Sequence, residues 1–74
     1  VSPALADLPL RKVIAGLAKA GFDHVRTRGS HAVYRDSAGN VVVVPNHSTI
    51  KRGTLASILR QAGLTAAEFE QVIN

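Results

Sequence analysis

Leu10, Val13, Ile14 and Leu17 fall at positions i, i+3, i+4 and i+7, with Arg11, Lys12 and Lys19 off that stripe. This spacing predicts an amphipathic helix. Pro9 suits its first turn, where the ring presets φ, and Gly21 suits its C-terminal end. Residues 1–9 show no period and read as a short lead-in. From Phe22 to Arg35 the pattern changes to two strands broken at Gly29-Ser30, a two-residue connection with glycine first, which predicts a type II′ hairpin. That turn pairs Arg28 with His31, Thr27 with Ala32, Arg26 with Val33, Val25 with Tyr34 and His24 with Arg35. Paired residues share a face. One face is then expected to carry His24, Arg26, Arg28, His31, Val33 and Arg35, and the other Val25, Thr27, Ala32 and Tyr34. Asp36-Ser37-Ala38-Gly39-Asn40 reads as a turn, and Val41-Val42-Val43-Val44 as a third antiparallel strand stopped by Pro45. Successive strand residues alternate sides, so one pair of the four valines is expected on the basic-face side of the sheet or under a partner, which leaves room for an exposed apolar stripe.

Beyond a loop at 46–50, Leu55, Ile58, Leu59 and Ala62 repeat the helical spacing, and Gly63 caps that helix. Thr65-Ala66-Ala67-Glu68 is a capping box, with Leu64 placed to staple onto Phe69. Phe69, Val72 and Ile73 supply the buried side of this third helix. The order is helix, three-stranded meander, helix, short helix. It predicts an α+β fold with the α-β-β-β-α arrangement of double-stranded-RNA-binding domains, a three-stranded antiparallel sheet covered on one face by helices, and an additional C-terminal helix. Seventy-four residues fit one domain spanning 1–74. A chain this short hides roughly 60% of its unfolded surface, so nearly every large apolar side chain is committed to packing.

Composition narrows the function classes. Hydrophobic content of 46% with 19% charge argues against disorder, and no apolar run approaches a membrane span. Zero cysteines exclude disulfides, a thiolate nucleophile and cysteine-rich zinc sites. The N-terminal residues lack the basic and apolar regions of a secretion signal, so a cytoplasmic location without membrane contact is expected. A net charge of +4 favours an acidic partner such as nucleic acid.

Three segments occur in an informative order: Gly29-Ser30-His31, then Pro45-Asn46-His47, then Gly53-Thr54-Leu55-Ala56-Ser57-Ile58-Leu59-Arg60-Gln61-Ala62-Gly63-Leu64. Together they resemble the HicA family of bacterial toxins over about residues 10–73. The resemblance implies a fold like that of double-stranded-RNA-binding domains, metal-independent endonuclease cleavage of mRNA, and neutralisation by a HicB-type antitoxin. It also implies that His31 is the catalytic histidine. Many family members carry a second histidine next, where this chain has Ala32. His47 matches a frequent family histidine to which no role is assigned.

Metal-free RNA cleavage needs a base for the 2′-hydroxyl, an acid for the departing 5′-oxygen and positive charge on the phosphorane. His31 fills one proton-transfer role. Arg28, about 5 Å away across the strands, is placed to hold the same phosphate. Arg26 takes the next phosphate, and Ser30 adds a polar contact at the turn. His24, opposite Arg35, lies about 14 Å along the sheet from His31, which disfavours a two-histidine dyad. Lys51 and Arg52 open the second helix against its dipole, a placement that makes sense if a phosphate binds there. Lys12 and Lys19 offer a second electrostatic track. No cofactor and no metal site is expected. Two other readings compete: a non-catalytic RNA-binding module using the same basic face, and a small adaptor that pairs its valine strand with a protein partner.

Overall fold

The computed structural model describes residues 5–73. Its elements are β1 (Leu8–Pro9), α1 (Leu10–Lys19), β2 (Asp23–Arg28), β3 (His31–Arg35), β4 (Val41–Pro45), β5 (Thr49–Ile50), α2 (Arg52–Ala62) and α3 (Ala66–Ile73). Strands β2, β3 and β4 form the expected antiparallel meander, while β1 and β5 pair as a separate two-stranded ribbon. The ribbon corrects the reading of 46–50 as a loop throughout, and it ties down the end of the 1–9 lead-in. Pairs of residues are too short to show a period, yet Leu8 opposes Ile50, and the Leu10 amide donates to the Ser48 carbonyl at 3.0 Å. Pro9 is the N-cap of α1, one position earlier than expected, with φ −60° and an extended ψ of 144°. Residues 1–4 of the lead-in lie outside the described residues.

The hairpin turn is type II′ as expected. Gly29 has φ +58° and Ser30, like every other described non-glycine residue, has a negative φ. Register holds for Arg28 with His31, Thr27 with Ala32 and Arg26 with Val33, and then breaks. A β-bulge at Val25 makes His24 the partner of Tyr34 and Asp23 the partner of Arg35. The expected pairs Val25–Tyr34 and His24–Arg35 are therefore wrong. The physical reason lies at Phe22. Strict alternation back from Arg28 would turn Phe22 to the outside, whereas one extra residue brings it to the helix side. There it is 3% exposed, and Val25 is left 49% exposed. An aromatic ring carries more apolar surface than a valine, so the bulge buries the larger group.

Tyr34, Val42 and Val44 point inward and join Val13, Leu17, Ile50, Leu55, Ile58 and Phe69 in one core. Val41 and Val43 point outward, as the alternation requires. Helix α2 lies against β4, and its Gln61 side chain accepts the Val43 backbone N–H at 2.9 Å. Asp36 and Asn40 close the β3–β4 turn through paired bonds of 2.7 and 2.8 Å, and the Asn40 amide holds the Asp36 carboxyl below its usual range.

Both bonds of the α3 capping box are made. The Thr65 N–H donates to Glu68 Oε1 at 2.8 Å, and the Glu68 N–H donates to Thr65 Oγ1 at 3.1 Å. Helix α3 docks where α1 has no side chain. A Cβ on Gly16 would lie 2.7 Å from the Phe69 ring and from Ile73 Cγ2.

Two outcomes follow from this packing. Gly16→Ala adds about 1 kcal/mol of helix propensity but overpacks a buried ring at a cost of about 1–3 kcal/mol. The net effect on the thermal midpoint is a decrease, and an increase would show that α3 does not seat on Gly16. The Thr65 amide bond, followed by the Thr65 hydroxyl, lowers the Glu68 pKa. Stability from a depressed carboxylate is present above its unfolded pKa and is lost as pH falls through the folded value. Protection of α3 amides, measured relative to their intrinsic exchange rates, should fall across that acid range, and Glu68→Gln, which keeps a side-chain acceptor, should flatten the dependence.

Candidate nucleic-acid interface

The two helices cover one side of the meander, which leaves the other side open. Arg28 and His31 face each other across the hairpin turn, with Arg26 opposite Val33 one row further in. Arg26, Arg28, Ser30, His31 and Arg35 are all exposed. On its other flank His31 is paired with Pro45, and the Asn46 N–H donates to the Ser30 carbonyl at 2.6 Å. The turn bearing Ser30 and His31 is thus held by strands on both sides. Among the described residues no side chain hydrogen-bonds to the His31 ring, so both of its nitrogens remain available to a ligand. Positive charge here is nearly unopposed: among the described residues the one acid on this face, Asp23, sits opposite Arg35, about 13 Å along the strand from His31. The bulge is what turns Asp23 onto this face.

The same bulge removes His24 from this surface. His24 was expected beside the hairpin arginines but lies on the helix side, with Nε2 2.8 Å from Thr27 Oγ1 and its ring edge-on to Tyr34 at 5.4 Å. A dyad of His24 and His31 is excluded by the sheet between them, a stronger reason than distance along one face. His47 sits in the loop after β4, where its N–H donates to the Pro45 carbonyl at 2.9 Å. The loop that carries it is therefore the one bonded to the hairpin turn. Sequence spacing gave no hint of this, because the link is a backbone bond between residues 16 positions apart.

Lys51 and Arg52 were expected to hold a phosphate at the start of α2. An internal carboxylate already stands there. The Arg52 N–H donates to Asp7 Oδ1 at 2.8 Å, and Lys51 Nζ lies 3.7 Å from Asp7 Oδ2. Asp7 comes from the lead-in, brought alongside by the β1–β5 ribbon. It satisfies the helix dipole that two cations at the N-terminus oppose. The helix start therefore has an anion from within the chain, while the Lys51 and Arg52 side chains remain exposed. Lys12 and Lys19 project from α1 on the helix side of the sheet, away from His31, so they do not extend the basic face.

Side chains of the outer face can bind phosphates and move one proton. Among the described residues no three His, Cys, Asp or Glu side chains come together as a metal-binding group. No helix of the described residues is long and apolar enough to cross a membrane.

No curated protein matches the chain. A family model described as the HicA toxin of bacterial toxin-antitoxin systems matches residues 10–64, from the first residue of α1 to the residue after the Gly63 cap. That span holds the hairpin, β4 and α2, and leaves α3 outside. Covering well over half of the sequence, the match shows that the chain belongs to the HicA family of bacterial toxins.

Proposed function

We propose that this toxin is an endoribonuclease that cleaves mRNA without a metal ion, using His31 as a general acid/base. The observation that carries the reading is the pairing of an exposed His31, its ring free of side-chain partners, with Arg28 at the rim of a basic sheet face. In the reaction the 2′-hydroxyl oxygen bonds to the adjacent phosphorus and the bond from phosphorus to the 5′-oxygen breaks. This leaves a 2′,3′-cyclic phosphate and a 5′-hydroxyl. His31 takes the 2′-hydroxyl proton or supplies the proton that the 5′-oxygen gains. Arg28 neutralises the charge that builds on the phosphorane, and Arg26 and Ser30 hold the neighbouring backbone. Lys51 and Arg52 add long-range attraction. The substrate places the toxin in the cytoplasm.

A non-catalytic RNA-binding module would use the same arginines, but a histidine at position 31 is then a poorer phosphate ligand than lysine or arginine. The adaptor reading loses support at β4, where Gln61 takes the Val43 N–H and Pro45 has none to offer. The partner that fits the exposed valines and arginines of the outer face is an acidic HicB-type antitoxin that covers His31.

His31→Ala should lower RNA cleavage by about 100-fold or more while changing stability by no more than about 0.5 kcal/mol, because the side chain is exposed. Wild-type cleavage should persist in excess EDTA. Cleavage that survives the substitution, or that EDTA abolishes and magnesium or zinc restores, would place the chemistry elsewhere. Antitoxin association should be faster at low ionic strength. Charge reversal at Arg26 and Arg28 should slow both association and cleavage, and hydrogen exchange in the complex should protect residues 26–35. Protection restricted to α3 would mean inhibition from a remote surface.

A further inference from the structure

We propose that a cleft on the helix side of the hairpin receives one nucleobase next to the cleaved phosphate and sets the sequence preference of the toxin. The inference rests on the RNA-directed reading above. All six residues of β2 are exposed, whereas Tyr34 of β3 and Val42 and Val44 of β4 are buried in the core, so the packed side of the sheet ends short of this edge strand. The gap is a cleft of about 220 Å³. Leu10 and Ile14 of α1 form one wall, and the row Thr27, Ala32 and Val44 forms the floor.

That floor is the cross-strand row directly behind Arg28, His31 and Pro45, on the opposite face of the same strands. A chain whose phosphate rests at His31 therefore needs only to pass the open end of the sheet for a flanking base to enter. Asn46 stands at this passage: its N–H bonds the Ser30 carbonyl, and its residue also lines the cleft.

The chemistry of the lining selects the occupant. It contains no Lys, Arg, Asp or Glu, so it does not suit a phosphate or a carboxylate. Apolar walls and the His24 ring suit a flat, neutral group, and the Asn46 amide and Thr27 hydroxyl supply donors and acceptors for its edge. Its volume is below the roughly 300–1,000 Å³ of pockets for drug-sized ligands, which fits a single base better than a whole cofactor. The short side chain of Ala32 keeps the floor open. Sequence is thus read on one face and the backbone is held on the other.

The test has a binding arm and a cleavage arm. In the first, the full chain is titrated with a fully 2′-O-methylated RNA hexamer, which cannot be cleaved through the 2′-oxygen, and backbone amide resonances are followed. Thr27, Ala32 and Asn46 should shift together with Arg26 and Arg28, and Ala32→Leu, which fills the cleft, should abolish only the cleft shifts. In the second arm, cleavage sites are mapped on a random-sequence RNA. The wild-type chain should favour one base beside the cleaved bond by about tenfold or more. Ala32→Leu and the milder Asn46→Ala should each reduce that preference to about threefold or less. Shifts confined to the outer face, an absent preference, or a preference unchanged in both variants overturns the base site. Cleft shifts in a chain that cleaves no RNA uphold the base site and remove only the ribonuclease reading.

Discussion

A sheet of three short strands in so small a chain has helices enough for one face only, and most of its surface chemistry follows from which face they take. Tyr34, Val42 and Val44 go inward against the core. Everything on the alternate positions is then committed to solvent: Arg26, Arg28, His31 and Arg35 with the outward valines. Phase is therefore the controlling variable. A shift by one residue would exchange the faces, exposing Tyr34 and burying guanidinium groups. The Gly29 turn sets the phase at one end of the hairpin. At the other end Phe22 demands the opposite phase, and the bulge at Val25 reconciles the two.

Charge on the open face also explains how the fold tolerates its basic balance. At the start of α2, Asp7 pairs with the Lys51 ammonium and accepts the Arg52 backbone N–H, so the helix N-terminus has a carboxylate from within the chain. Among the described residues the hairpin arginines have no such compensation apart from Asp23 at the far end. An exposed, uncompensated cluster is weakly costly when free and strongly attractive to a polyanion. Its exposed setting leaves it available for binding rather than for holding the fold together.

Much of this was legible in the sequence because it rests on local rules. The helix stripe from Leu10 to Leu17, the Gly29-Ser30 turn, the alternation of the valine run and the Thr65–Glu68 box each need only a few neighbouring residues. The near end of the hairpin, with Arg28 opposite His31, came out correctly for the same reason. What was missed depends on contacts between distant parts of the chain. The bulge follows from a core that needs Phe22 more than Val25, and the position of Asp7 follows from a two-residue ribbon without a periodic signal. The bond from Asn46 to Ser30 brings loop and turn together and has no local signature. The bulge also carries His24 to the helix side, and the carboxylate at the α2 N-terminus has no local signature because Asp7 lies 45 positions away in sequence.

On the proposed reading, the open face performs a proton-transfer cleavage through the RNA's own 2′-hydroxyl. Its most direct test is the chemistry of the cut ends. Purified toxin is incubated with a defined RNA in the presence of a chelator, and the fragments are identified by mass. Proton transfer by His31 should give 2′,3′-cyclic phosphate and 5′-hydroxyl ends, formed by the wild-type chain and missing with His31→Ala. Fragments ending in 3′-hydroxyl and 5′-phosphate, or cyclic ends produced equally well without His31, would contradict it.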